Sequence, residues 1–172
     1  MTEGDLIAST GYAVGSAKAL RIGAYGIGAA RSFGGQFANQ RDGTRFEGGV
    51  SVDWSALRNL GLGIRGGYQT EHATLDVFTE GGATGMAYAQ ARFGKLDALL
   101  AVTYQHRNYA TNQDRVDNRF GPQATLSYAL NDTFYVVASY LFIHNASSLA
   151  DTSRAGYDYN RHLVSLGVEA RF

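Results

Sequence analysis

His162-Leu163-Val164-Ser165-Leu166-Gly167-Val168-Glu169-Ala170-Arg171-Phe172 alternates between two kinds of residue along its whole length. Val164, Leu166, Val168, Ala170 and Phe172 are apolar, and Ser165, Gly167, Glu169 and Arg171 stand between them. Successive side chains of a β-strand point to opposite faces, so this spacing describes a ribbon with one oily side and one polar side.

The same pattern extends back through the chain. In 44–54, Phe46, Val50, Val52 and Trp54 oppose Arg45, Glu47, Ser51 and Asp53. In 60–70, Leu62, Ile64 and Tyr68 oppose Arg65 and Gln69, and 120–130 repeats the arrangement. Less regular segments at 6–15, 20–31, 84–93, 98–108 and 133–145 bring the count to about nine. Each is near the roughly 9–11 residues that a tilted strand needs to cross a bilayer. Short turns at 15–19, 55–59, 94–97 and Asn131-Asp132 alternate with longer polar links at 32–43, 71–82, 109–118 and 146–158. Short turns on one side and long loops on the other are expected of an outer-membrane barrel.

Composition agrees with an all-β chain. The 172 residues form one expected domain, 1–172, and include 22 Gly and 11 Tyr against a single Pro. Cysteine is absent, which excludes disulfides and thiolate metal sites. Lys plus Arg equals Asp plus Glu, so no global positive field recruits nucleic acid. No apolar run reaches the eighteen or so residues of a spanning helix. Residues 1–5 show no secretory signal, so the expectation is either a removed signal or a chain that begins part-way through a longer barrel.

Alternation alone does not separate a membrane barrel from a soluble lipocalin-like binding barrel, and that second reading stays open here. Two features favour lipid. Lysine occurs only at Lys18 and Lys95, both in expected short turns, while the polar faces carry arginine interspersed with carboxylates. Aromatics fall in two belts. Trp54, Phe93, Tyr128, Phe134 and Phe172 lie at short-turn ends, and Phe46, Tyr68, Tyr104, Phe120 and Tyr140 lie nearer the long links.

The stretch 165–172 resembles the C-terminal assembly signal of bacterial outer-membrane β-barrels, carried by Ser165, Gly167, Ala170 and Phe172. That resemblance implies recognition by the barrel-assembly machinery, with outer-membrane lipid as surroundings. Residues 156–167 are similar to the last strand of β-barrel porins associated with exopolysaccharide operons. This second resemblance implies passage of a polar solute or polysaccharide across a Gram-negative outer membrane.

The expected architecture is an antiparallel, up-and-down transmembrane β-barrel of about 8 to 10 strands, or the C-terminal part of a larger one. Arg21, Arg45, Glu47, Asp53, Arg65, Arg92, Arg107, Glu169 and Arg171 are the expected lumen-lining residues, with arginine in excess. In a wide barrel they would favour anionic solutes, and in a narrow one they would form an internal ion-pair network. The corresponding functions are a porin-like channel or exporter and a small closed barrel acting as anchor or adhesin.

No catalytic, cofactor or metal site is expected. Gly61-Leu62-Gly63-Ile64-Arg65-Gly66 has dinucleotide-motif spacing, but no helix follows, so these read as strand glycines over which a large neighbour such as Tyr25 packs. The four histidines, 72, 106, 144 and 162, lie on separate segments. His144 and Ser147 resemble a lipase pair, but a spacing of three puts them on opposite strand faces.

Overall fold

Each of the nine alternating segments is a strand in the computed structural model. They are β1 Thr2–Val14, β2 Leu20–Ser32, β3 Gly43–Leu57, β4 Leu60–Ala73, β5 Glu80–Phe93, β6 Leu96–Tyr109, β7 Val116–Ala129, β8 Phe134–Ser147 and β9 Tyr159–Ala170. The structure describes every residue except 1, 15–18, 33–41, 76–77, 110–114, 150–156 and 171–172. For residues 2–5 and 56 it describes the backbone alone. Sheet order follows chain order and every neighbouring pair is antiparallel, giving one up-and-down sheet.

Short connections set the register. Arg58-Asn59 joins β3 to β4, and Gly94-Lys95 joins β5 to β6. Gly94 has φ 59°, a left-handed conformation that costs other residues about 1 kcal/mol or more. Between β7 and β8 the expected Asn131-Asp132 turn is a four-residue link, 130–133. The Asn131 Oδ1 accepts hydrogen bonds from the N–H groups of Thr133 (2.9 Å) and Phe134 (2.8 Å), so the side chain closes the wider turn.

Strands β5 and β7 start four residues earlier than the alternation implies, at Glu80 and Val116. The reason is polar. Glu80 accepts from Gln69 and Arg107, and Asp117 pairs with Arg115, so polar contacts carry the ladder on where apolar residues have given out.

The sheet is curled. A cavity of about 480 Å³ is lined by residues from β1, such as Ile7 and Ser9, through β6, such as Thr103 and Gln105. In a flat sheet those strands would stand about 24 Å apart at the usual spacing. A second hollow of about 570 Å³ runs from Ser55 and Leu57, on β3, to Thr125 and Ser127, on β7, at the short-turn end. The curl does not close the sheet, because the ladder runs from β1 to β9 without joining them. With an odd number of strands, β1 and β9 run in the same direction, so the antiparallel ladder that builds the rest of the sheet cannot link them.

Candidate functional site

Residues directly opposed in an antiparallel ladder share a face. Tracing the pairs Arg21↔Asp53, Ser51↔Arg65, Arg65↔Met86, Arg92↔Asp97, Arg107↔Asp117 and Tyr135↔Glu169 puts all the expected lumen residues that are described on one face. Arg171 and Phe172 lie outside the described residues. Every described strand side chain of Asp, Glu, Arg or Lys type is on this face, which is the concave one.

Most of these charges are matched. Arg31 Nη1 donates to Glu71 at 2.7 Å, reaching over β3 to β4. Arg45 pairs with Glu47 at 2.5 Å, and Arg107 with Glu80 at 3.1 Å. Arg92 pairs with Asp97 at 2.6 Å at the exposed short-turn end. Arg115 Nε donates to Asp117 at 3.0 Å, with its guanidinium stacked on Tyr109 and Tyr157 at 4.0 and 3.8 Å. Burial works against the charge on Arg115, but the hydrogen bond to Asp117 and the attraction of Tyr109, Asp117 and Tyr157 together outweigh it and the pKa moves up. Arg119 donates to the Tyr159 hydroxyl at 2.7 Å, across β8. Ion pairing therefore accounts for much of the arginine.

Two tyrosines that the charge pattern does not identify complete the concave face. Tyr25 donates to Glu47 at 3.2 Å, and its hydroxyl lies where a Cβ on Gly49 or Gly67 would come within 2.8 Å. Tyr88 covers Gly63 and donates to Asp53, two strands away. The expected neighbour of the 61–66 glycines was Tyr25. The register instead puts Tyr88 over Gly63 and moves Tyr25 to Gly49 and Gly67, while Gly66 faces open space on the opposite side. Glycines two apart on the polar face were the readable signal for a flat-lying ring.

The convex face is the inverse. Trp54, Phe93, Tyr128 and Phe134 project from it at the short-turn ends, and Phe46, Tyr68, Tyr104 and Phe120 toward the long links, whereas Tyr140, expected with the second group, lies at the middle of β8. Between them lie exposed Ile22, Val50, Ile64, Leu100, Val102, Leu126 and Val164. The buried side chains are largely polar: Gln69, Glu80, Asp117, Ser127 and Asn145, against Ala29 and Ala101 among the described residues.

All four histidines are on this convex face near the long links. His106 meets Asn118 at 2.9 Å, His144 meets Asn160 at 2.8 Å, and His162 meets the Tyr140 hydroxyl at 2.8 Å. His144 and Ser147 are on opposite faces of β8, as their spacing requires. Among the described residues, no three His, Asp or Glu side chains gather as a metal site. Of the expected assembly-signal positions, Ser165 shares a 2.6 Å hydrogen bond with Ser139, Gly167 has nothing within 4 Å of an added Cβ, and Ala170 ends β9.

No described helix is long and apolar enough to cross a membrane, a fact silent about strands. Comparison with protein-family models, with curated proteins and with solved structures returns no match.

Proposed function

We propose that this chain forms a wall of an outer-membrane β-barrel, with its convex face against lipid and its concave face along a pathway for polar solutes. The supporting observation is the inversion of burial: large apolar side chains are exposed on a face free of charge, while carboxylates and amides are buried. On β2 to β4 alone, Ile22, Phe46, Val50, Trp54, Ile64 and Tyr68 are each 48–61% exposed. In water they would forgo about 5–9 kcal/mol of burial, comparable with the whole net stability of a domain. Against hydrocarbon that cost vanishes, and the two aromatic belts fall at the two headgroup levels.

In this reading the barrel-assembly machinery inserts the chain, and the long links face outward. Solute passage is favoured over a purely structural anchor because the concave face retains open volume despite its ion pairs. Purified protein reconstituted in planar bilayers is expected to give discrete conductance steps. Stable insertion without any openings would overturn the pathway and leave the anchor. A protein that stays monodisperse without detergent would overturn both.

A further inference from the structure

We propose that the concave face between β2 and β5 holds a binding site for an oxyanion-bearing sugar, with Arg21 and Arg65 as its anion-holding groups. The inference deepens the solute-pathway reading and rests on it for its biological meaning, though the site itself can be tested separately.

Apart from Arg119, the described arginines with no described carboxylate within ion-pair distance are Arg21, Arg58, Arg65 and Arg161; Arg58 sits in the β3–β4 turn and Arg161 on the edge strand β9, which leaves Arg21 and Arg65 together in one cavity of the concave face. Arg31, Arg45, Arg92, Arg107 and Arg115 each have a carboxylate partner, and Arg119 has a tyrosine hydroxyl. Arg21 and Arg65 line one cavity, and neither forms an ion pair with a described carboxylate. Arg65 rests over the Tyr88 ring at 5.6 Å and also interacts with the Tyr88 hydroxyl, a neutral partner that orients the guanidinium without cancelling its charge. Both residues are exposed, so both guanidiniums keep access to water and to a solute.

The carboxylates nearby are already engaged. The cavity is lined by three guanidiniums and two carboxylates. Glu47 is held by Arg45 and Tyr25, and Asp53 accepts from Tyr88. In register, Arg21 stands opposite Asp53, and Arg65 stands opposite Ser51, one pair along the same strand. Asp53 thus lies between the two arginines and tempers their pull, which suits a site that must release its solute as well as hold it.

The rest of the lining is uncharged, with Ser9, Ser51, Thr84, Thr103 and Gln105 set among apolar Ile7, Ile27 and Met86. The polar ones exchange hydrogen bonds with sugar hydroxyls, while a guanidinium fork matches the paired oxygens of a phosphate or carboxylate. The volume, about 480 Å³, falls within the usual range for a small-molecule site of roughly 300–1,000 Å³.

The test is calorimetric titration of the full chain in detergent micelles with glucose 6-phosphate, glucuronate and glucose. Both anionic sugars are expected to bind and glucose far more weakly. Stronger binding of one of them identifies the oxyanion preferred. Arg21→Gln combined with Arg65→Gln should weaken binding about tenfold or more, the loss of roughly 1.4 kcal/mol. Lys95→Gln, which removes one positive charge from an exposed turn, should leave it unchanged. Asp53→Asn should tighten binding several-fold, and this gain keeps the test decisive if the double variant fails to fold. Absence of binding, equal binding of glucose, retention in a folded double variant, or no gain in Asp53→Asn each overturns the site. Conductance reports separately: binding without channel openings defeats the pathway but not the site, and openings without binding do the reverse.

Discussion

At the scale of single residues, the two faces of β4 make opposite demands on glycine. Gly63 lies under Tyr88, so a side chain there displaces the ring and breaks its bond to Asp53. Gly66, three residues on, faces open space from the convex side. Gly63→Val is therefore expected to destabilise by about 1–3 kcal/mol, as overpacking does, whereas Gly66→Val stays within about 0.5 kcal/mol. Denaturant unfolding in lipid vesicles, followed by the fluorescence of Trp54, the one tryptophan in the chain, measures both. Equal costs would mean that Tyr88 does not rest on Gly63. That these glycines belong to a strand is legible because Leu62 and Ile64 keep the alternation between and beyond them. Which tyrosine covers them is not legible, because it depends on register, and register depends on the lengths of turns several strands away.

At the scale of the strand, alternation carries nearly all the information. All nine segments and the common face of the lumen candidates follow from period two, since a slip of one residue would turn every charge on β3 to the wrong side. The extra polar turn at the starts of β5 and β7 is not readable this way. It depends on Glu80 meeting Gln69 and Arg107, a contact between three strands that no single segment contains. The solvent of the convex face also lies beyond alternation, but it makes a signed prediction. Val102 is exposed in the middle of β6, and His106 lies four residues nearer the long links on the same face. If lipid covers this face, Val102→Arg costs about 2–4 kcal/mol and His106→Arg under about 1 kcal/mol. If water covers it, replacing an exposed valine by arginine costs almost nothing at either depth. Unfolding in vesicles reads the difference, and a flat response would count against the membrane.

At the scale of the whole molecule, the two edges of the sheet are in tension with the environment proposed for its convex face. β1 and β9 each have one neighbour, and their apolar residues are the most exposed of the sheet, with Leu6, Tyr12, Val164 and Leu166 at 76–79%. Water can satisfy the N–H and C=O groups left along such an edge, but hydrocarbon cannot, and each group left unpaired there costs several kcal/mol. The curl already brings β1 and β6 around a shared cavity, so the sheet is bent in the sense that closure requires. A lipid-facing wall therefore requires both edges to be covered by backbone partners once the protein is in a bilayer. Amide hydrogen exchange is expected to be as slow along β1 and β9 in vesicles as along β4 to β6, with fast exchange confined to the links. Rapid exchange along either edge in a bilayer, with the central strands protected, would show an open edge facing water, and the convex face could not then be immersed in lipid.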